Sequence, residues 1–235
     1  MKFIREPNLP RGSVGLVIID GRVDKRIEES LGQMGINAIR TCAHKDLYAA
    51  IEYHPDMMLH PLGEEYMVYA PGTSDSVLDA LKQKGFVLIE GEKQLCSKYP
   101  CNIAYNVARV GGLAFHNFKY TDSKLMNELE RRGVKLVNVK QGYSKCSISI
   151  VDEEAIITAD TGIAKAAKEK GIEVLLIAPE KNIVLSGLDH GFIGGCTGLL
   201  DKNKWAIAGD LSTLSSAQSI KEFLAKRGME CISLS

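Results

Sequence analysis

Residue types that could support catalysis stand at corresponding places in the repeated segments of this chain. When the repeats are aligned on their second strands, Asp56, Asn102, Cys146 and Cys196 each fall at the start of a predicted inner strand, and His54 precedes Asp56 by two residues. A cysteine thiolate is a nucleophile, an imidazole can move protons, and a carboxylate can accept two parallel N–H groups. These are groups that a catalytic site could use.

Two cysteines compete for the role of nucleophile. Cys146 is favoured, and Cys196 is the rival because it follows Gly194-Gly195, whose backbone N–H groups can approach a substrate closely, and has His190 just upstream. For either cysteine the ordinary alternative is a buried thiol that acts as a small apolar side chain. The sequence therefore leaves the nucleophile open.

The remaining polar candidates have simpler explanations. Asp160 follows a predicted second strand and could bind substrate at the rim of a pocket, although capping of the next helix explains it equally well. His60 and His116 lie on apolar strands, and we expect them to be satisfied histidines of the core. We find no cluster with metal-ligand spacing and no phosphate-binding loop, so the sequence predicts no metal and no other cofactor.

A unit repeated five times along the chain must position these residues. Each copy is an amphipathic helix that ends at a glycine and leads into an apolar strand. The copies occupy residues 27–41, 78–91, 125–139, 164–178 and 220–234. A period of roughly 50 residues is typical of repeat architectures. In a closed ring, equivalent positions of successive repeats converge on one axis, which is where we expect the site.

Upstream of four of the helices, two short apolar runs flank a polar or glycine-containing turn, which is typical of a β-hairpin. The turns are Gly63-Glu64-Glu65, Gly111-Gly112, Asp152-Glu153-Glu154 and Asp201-Lys202-Asn203-Lys204. The first copy has its second strand at 14–20, and we expect residues 3–8 to supply its first. We therefore predict one domain over residues 1–235, a five-fold pseudosymmetric α/β propeller of ββαβ repeats with sheets inside and helices outside, rather than a doubly wound parallel sheet.

This pattern resembles the pentein, or guanidino-group-modifying, superfamily over the whole of residues 1–235. That superfamily includes deiminases, dimethylarginine dimethylaminohydrolases and amidinotransferases, and also a ribosome anti-association factor that binds without catalysis. The segments GYSKCSISIVDEEAIIT (142–158) and GFIGGCTGLL (191–200) resemble an uncharacterised bacterial branch of the fold. The resemblance implies that His54-Pro55-Asp56 matches a His-x-Asp motif in which the histidine is a general acid/base and the aspartate holds a guanidinium. It also implies a cysteine nucleophile that attacks the guanidinium carbon.

Two features depart from the family pattern. The family's cysteine lies near the C-terminus, whereas Cys231 here belongs to a plain last strand, and the family's His-x-Asp lies in the fourth repeat rather than the second. In the family the cysteine follows His-x-Asp by two repeats, and Cys146 stands two repeats after His54. The resemblance therefore implies a rotated site of His54, Asp56 and Cys146, in which Lys145 could help to lower the thiol pKa.

Composition and charge limit the choice of partner. The 29 basic and 29 acidic residues cancel, and no basic block stands out, so nucleic acid and an anionic membrane surface are not expected. No apolar stretch approaches the roughly 18 residues that span a bilayer, and the first residues lack an apolar signal segment. We therefore expect a cytoplasmic protein with six free thiols. An exposed sheet edge or helix face would allow a homodimer.

The first functional hypothesis is a cysteine-dependent hydrolase or transferase that acts on a C–N bond of a guanidino, amidino or related small cationic or polar substrate. Asp56 would anchor the substrate, Cys146 would attack it and His54 would shuttle the proton. Asn102 or a glycine backbone N–H would help to orient the substrate. The alternative is a non-catalytic pentein scaffold that binds a protein or ribosomal partner, in which the central cysteines are structural. The sequence does not choose between hydrolysis and group transfer, nor does it name the substrate.

Overall fold

The computed structural model describes residues 2–235 and contains five small sheets in chain order. In four of them an antiparallel hairpin is followed by a helix and by a third strand that pairs parallel with the second. The first sheet has two parallel strands joined by a helix. The predicted ββαβ unit is thus confirmed in four copies, and the first copy lacks its first strand.

The strands are short and grouped by unit. They are β1 (Leu16–Ile19) and β2 (Asn37–Arg40); β3 (Leu59–Gly63), β4 (Tyr66–Tyr69) and β5 (Val87–Glu90); β6 (Ala108–Val110), β7 (Leu113–His116) and β8 (Lys135–Asn138); β9 (Ile148–Asp152), β10 (Ala155–Thr158) and β11 (Glu173–Leu176); β12 (Thr197–Asp201), β13 (Lys204–Ala208) and β14 (Glu230–Leu234).

Within the described residues 2–235, seven α-helices connect the strands. They are α1 (Lys25–Gln33), α2 (Pro55–Met58), α3 (Asp75–Gln83), α4 (Ser123–Arg131), α5 (Ser144–Ser147), α6 (Thr161–Glu169) and α7 (Ala217–Lys226). The five longer helices are those predicted from the repeats, and each is followed within two residues by its predicted glycine with φ between 66° and 91°. Glycine suits this position because a left-handed backbone costs it nothing.

The first sheet departs from the sequence prediction because residues 3–8 do not pair with β1. Instead, the carbonyl of Ile4 accepts a hydrogen bond from the backbone of Glu64 at 2.8 Å, and Glu6 forms an isolated bridge with Leu9. Pro7 stands in the middle of this segment, and a proline cannot donate to a ladder or adopt a central strand position. The prediction of a first strand there is wrong, and the segment lies against the β3–β4 turn.

Hydrophobic clusters lie between successive sheets. One spans the first three units and includes Leu81 of α3 and Leu129 of α4, and two others join the third unit to the fourth and the fourth to the fifth. A fourth cluster packs Leu31 of α1 against Leu200 and Leu234 of the last unit. The last unit therefore packs on the first.

Two further predictions, on membrane crossing and on the state of the cysteines, can be compared with the structure. Among residues 2–235, no helix combines the length and apolar character that crossing a membrane requires. All six cysteines are free thiols, as the sequence predicted.

Candidate functional site

Short helical turns place the predicted site residues at one end of the sheets. Asp56 lies in α2 and Cys146 in α5, each a four-residue helix that leads into the first strand of its unit, and Asn102 lies in the 3-10 turn Cys101–Ile103. Pro55 begins α2, a position where its fixed φ and missing N–H are tolerated. The site residues therefore precede the inner strands, rather than beginning them as predicted.

The thiol of Cys146 and the carboxylate of Asp56 are in direct contact. The Cys146 Sγ donates to Asp56 Oδ2 at 3.1 Å, across two units of the fold. Cys146 is only 4% exposed, and the second carboxylate oxygen, Asp56 Oδ1, is buried without a hydrogen-bond partner in the part of the chain that the structure describes. The repeat alignment thus identified two side chains, 90 residues apart in sequence, that meet in the folded chain.

Asn106 holds this pair in place and was missed by the sequence analysis. Its Nδ2 donates to the Cys146 sulfur at 3.2 Å and to the main-chain carbonyl of Asp56 at 3.1 Å. Its Oδ1 accepts from the backbone N–H groups of Lys145 and Cys146, at 2.9 and 3.3 Å. Because the oxygen is fixed by two donors, the amide must present its nitrogen to the thiol. Asn106 is fully buried, so water does not compete for these hydrogen bonds, and they fix the position of the short helix α5 that carries Cys146.

The surroundings keep Cys146 protonated when no ligand is present. Burial raises the thiol pKa well above its ordinary value, and the charge of Asp56 and the hydrogen bond to it raise it further. The hydrogen bond from Asn106 and the charge of Lys145 act in the opposite direction but are weaker. Lys145 directs its ammonium to the carbonyl of Gly194 at 3.2 Å. The predicted help from Lys145 is therefore present but does not produce a resting thiolate.

His54 completes the group on the side of the first unit. Reactive atoms of His54, Asp56 and Cys146 all lie within 4.8 Å of one another. The Nε2 of His54 lies 3.7 Å from Oδ2 of Asp20, a carboxylate that directly follows β1. Burial opposes ionisation of Asp20, but the hydrogen bonds and charge of Arg22 outweigh it and lower the pKa of the carboxyl. A negative Asp20 can therefore orient the imidazole of His54.

Asn102 contacts Tyr143, the residue that directly precedes the Cys146 helix α5. Its Nδ2 donates to the hydroxyl of Tyr143 at 2.9 Å, and its Oδ1 is buried without a partner. Burial raises the pKa of Tyr143, so the phenol stays neutral. Tyr143 also stacks on Phe192, with ring centroids 6.1 Å apart. Asp56 Oδ1 and Asn102 Oδ1 are thus two buried acceptors that lack donors among residues 2–235.

Cys196 and Asp160 do not share these contacts. The Cys196 thiol donates to the carbonyl of Ile193 at 3.4 Å, and burial raises its pKa to about 12. The Asp160 carboxylate caps α6 through the backbone N–H of Ile163 at 2.8 Å and accepts from Gln141 at 3.0 Å. Asp160 and His190 line a separate cavity of about 100 Å³ between the fourth and fifth units. Neither Cys196 nor Asp160 is brought to the Cys146–Asp56 pair.

The same three side chains could also hold a metal ion, which the sequence did not predict. An imidazole nitrogen, a carboxylate oxygen and a thiolate are the donors that zinc prefers, and three protein ligands leave one position open. Such a metal would require the Cys146 proton to leave. The donor set therefore fits zinc as well as nucleophilic chemistry, and the two uses differ in whether Cys146 is free to react.

The residues missed from the sequence left a weak signal. Asn106 comes two residues before β6, as Cys146 comes two residues before β9, so an alignment on the first strands would have paired them. Tyr143 and Asp20 carry no comparable spacing. The contacts of Tyr143 and Asp20 arise from the packing of neighbouring units. The periodicity of the sequence carries no information about that packing.

The arrangement of units is shared with proteins of known structure. Three solved structures share the fold across nearly their whole length. They are an inosamine-phosphate amidinotransferase from Streptomyces griseus (12% identity, TM-score 0.60, 100% of this chain and 92% of that chain), an amidinotransferase of the saxitoxin biosynthetic pathway from Microseira wollei (11%, 0.58, 98% and 91%) and an agmatine deiminase from C. jejuni (9%, 0.57, 100% and 90%). The chain thus has the pentein fold, as the sequence predicted.

A family model gives the narrower placement. The model described as "Family of unknown function (DUF6873)" matches residues 18–235, and the chain belongs to that family. No curated protein matches the chain in sequence.

Proposed function

We propose that this protein is a cysteine-dependent enzyme that cleaves a C–N bond of a guanidino or amidino compound, with Cys146 as nucleophile and Asp56 as the substrate anchor. The observation that carries the proposal is the Cys146–Asp56 contact at 3.1 Å, with Asp56 Oδ1 buried and without a donor. A planar cation with several N–H groups would satisfy that oxygen and the charge behind it.

Burial of acceptors without donors favours a ligand rich in N–H groups. A buried oxygen that lacks a hydrogen bond is costly, and the carboxylate adds a charge that has lost most of its water. Asp56 Oδ1 and Asn102 Oδ1 are both in this state. Within the pentein fold, the neighbours named above act on amidino groups or on agmatine, as their names state. A guanidinium or amidinium therefore matches both the acceptors and the fold.

Binding of such a cation would activate the thiol. The positive charge would cancel the effect of Asp56, which in the empty site raises the Cys146 pKa. The Cys146 proton would then pass to His54, and the sulfur would form a bond to the central carbon of the cation. Activation on binding explains how a thiol that is protonated at rest can still be a nucleophile.

The remaining steps balance with the same groups. The C–N bond to the leaving nitrogen breaks, and the imidazolium of His54 returns the proton to that nitrogen, so an amine or ammonia departs. An amidino–sulfur adduct stays on Cys146. Water, or an acceptor amine in a transferase, then attacks the carbon, gives its proton to His54 and releases the Cys146 sulfur. Asp20 acts through His54, whose Nε2 lies 3.7 Å away, and is a positioning residue.

The competing function is a pentein scaffold without catalysis. That reading requires the Cys146–Asp56 contact to be structural, with no ligand between the units. Its supporting observation is the burial of Cys146, which is also how an inert thiol behaves. The two functions differ in whether Cys146 ever forms a covalent adduct.

A covalent-trapping experiment tests the proposal. The protein is mixed with a panel of guanidino compounds (agmatine, L-arginine and guanidinoacetate), quenched in acid, and examined by intact and peptide mass spectrometry. We expect an amidino adduct on Cys146 with at least one compound, absent in Cys146→Ala and retained in Cys196→Ala. Treatment with a metal chelator should leave the amount of adduct unchanged. A metal ion bound to Cys146 would block its reaction, so an adduct that forms only after chelation would indicate a metal site instead. If no panel compound modifies Cys146 and none changes the thermal stability, the scaffold function takes precedence.

A further inference from the structure

The loop between β5 and the turn that holds Asn102 carries two cysteines that the proposed mechanism does not use. Cys96 and Cys101 are both free and partly exposed, so small reagents can reach them. The thiol of Cys96 donates to the carbonyl of Lys98 at 3.4 Å, and the same carbonyl accepts the backbone N–H of Cys101 at 2.9 Å. The thiol of Cys101 reaches back to the carbonyl of Gln94, on the other side of Cys96, at 3.8 Å. The loop is therefore folded back on itself, and its two cysteines approach each other.

Cys96 and Cys101 also form a hydrogen bond between their sulfurs. This hydrogen bond is the largest cause that raises the pKa of Cys101 to about 11, ahead of burial and of the charge of Cys96. Cys101 therefore keeps its proton, and it can donate that proton to an ionised Cys96 instead of to the backbone. Sulfurs in hydrogen-bond contact need only small rotations of their side chains to reach the length of an S–S bond, about 2 Å.

The same loop contacts the residue that precedes the candidate nucleophile helix. The ring of Tyr99, which lies between the two cysteines in sequence, has its centroid 5.9 Å from that of Tyr143. A Cβ on Gly142 would lie only 2.9 Å from Cε2 of the Tyr99 ring, so the loop packs closely here. Asn102, the residue after the second cysteine, donates to the hydroxyl of Tyr143 at 2.9 Å. A cross-link within the loop would therefore act on the turn that leads to Cys146.

We propose that a peroxide converts Cys96 and Cys101 into a reversible disulfide, and that this bond holds the loop of residues 94–101 against Tyr143. In the first step the Cys96 thiolate attacks one oxygen of hydrogen peroxide, because the thiolate is the nucleophilic form. An S–O bond forms and the O–O bond breaks. The released hydroxide takes up the proton that Cys96 had lost and leaves as water, and Cys96 becomes a sulfenic acid.

In the second step the sulfur of Cys101 attacks the sulfur of the sulfenic acid. The S–S bond forms, the S–O bond breaks, and the departing hydroxide takes the proton of Cys101 and leaves as a second water. Two thiols are thus oxidised while one hydrogen peroxide is reduced to two waters. A dithiol reverses the reaction by thiol–disulfide exchange, which regenerates both thiols and oxidises the reagent.

Two other cysteines serve as controls within the same molecule. Cys42 and Cys231 are also free and partly exposed. The sulfur of Cys42 lies 3.4 Å from the hydroxyl of Ser76, and among residues 2–235 no second thiol contacts either Cys42 or Cys231. A thiol without a neighbouring thiol can be oxidised to a sulfenic acid but cannot close a disulfide within the molecule.

The first experiment treats the fully reduced protein with hydrogen peroxide and blocks the remaining thiols with N-ethylmaleimide. The protein is then digested with trypsin without reductant and examined by mass spectrometry. Trypsin cleaves after Lys98, so Cys96 and Cys101 fall in separate peptides, 94–98 and 99–109. A disulfide joins these two peptides with the loss of two hydrogen atoms.

We expect the two peptides to become linked at a peroxide dose that leaves Cys42 and Cys231 as thiols, and dithiothreitol to separate them. In Cys101→Ser, a sulfenic acid should persist on Cys96 and be trapped by dimedone, whereas Cys42→Ser should still form the disulfide. Unlinked peptides at a dose that oxidises Cys42 or Cys231 would overturn the proposal. Linkage found only between two molecules would overturn it as well.

The second experiment compares hydrogen–deuterium exchange of the reduced and the oxidised protein. We expect the backbone amides of residues 97–102 to exchange more slowly after oxidation, and no such change in Cys101→Ser treated in the same way. Equal exchange in the two forms would contradict the proposed restraint on the loop. Because Cys146→Ala should form the same disulfide, failure here leaves the covalent-trapping result unaffected, and failure of the covalent trapping leaves this disulfide intact.

Discussion

Replacement of Asp56 by asparagine should make the resting thiol of Cys146 more reactive towards a neutral reagent. The substitution keeps the size of the side chain and removes the negative charge that lies 3.1 Å from the sulfur. Two like unit charges 3 to 4 Å apart, in an effective dielectric of about 20, repel by about 4–5 kcal/mol. If only about 1.4 kcal/mol of this repulsion is relieved, the fraction of thiolate at a given pH below the pKa rises about tenfold.

The assay is the rate of alkylation by iodoacetamide at one pH, read by peptide mass spectrometry. Cys101, which is partly exposed and outside the Cys146–Asp56 contact, serves as the reference thiol in the same molecule. We expect the Cys146 rate, relative to Cys101, to rise about 10- to 100-fold in Asp56→Asn, since the thiolate fraction sets the rate. An unchanged or slower rate in a folded variant would refute the view that the carboxylate keeps this thiol protonated.

Three further outcomes follow from the same contacts. Asn106→Ala leaves the buried backbone N–H of Cys146 without an acceptor and removes the amide donor to the main-chain carbonyl of Asp56, so it should lower the free energy of unfolding in urea by about 2–4 kcal/mol. Asn127→Ala on the exposed face of α4 should change that free energy by less than about 0.5 kcal/mol. His116 is buried with a pKa lowered to about 4, chiefly by desolvation, so the unfolded chain takes up a proton first as the pH falls. The contribution of neutral His116 to the free energy of unfolding is complete above about pH 6.5 and is lost below it. The free energy of unfolding should therefore fall by about 2 kcal/mol between pH 7 and pH 5 because of this residue, and His116→Gln should remove that part of the pH dependence. Cys146→Ala should abolish adduct formation with guanidino compounds, whereas equal loss in Cys196→Ala would move the nucleophile to Cys196.

The sequence predicted the repeated unit well because its signals are local. A glycine with positive φ ends each long helix, and polar turns such as Gly111-Gly112 join the paired strands, so neither depends on distant contacts. The first unit was mispredicted because residues 3–8 resemble a strand in composition, while Pro7 and the nearby turn at Glu64 direct them elsewhere. A local sequence pattern does not indicate whether residues 3–8 pair with β1 or lie against the turn at Glu64.

The candidate site was predictable only where the repeat itself carried the information. Alignment of repeats placed Asp56 and Cys146 at corresponding positions, and the structure brings them into contact. Asn106 and Tyr143 join the site through side-chain hydrogen bonds between units, and such partners depend on the depth of packing rather than on spacing. The protonated state of Cys146 also escaped prediction, because burial outweighs the neighbouring Lys145 charge only once the fold is known.

The central claim, that Cys146 and Asp56 form a site for an amidinium or guanidinium, is tested most directly with two matched alkylating agents. 2-Chloroacetamidine carries a cationic amidinium, and 2-chloroacetamide is its neutral counterpart of nearly the same shape. We expect the cationic reagent to modify Cys146 at least about tenfold faster than the neutral one, since its charge can pair with Asp56. The preference should vanish in Asp56→Asn while Cys101 shows none in either protein. Equal rates at Cys146 with both reagents, or modification confined to another cysteine, would contradict the account.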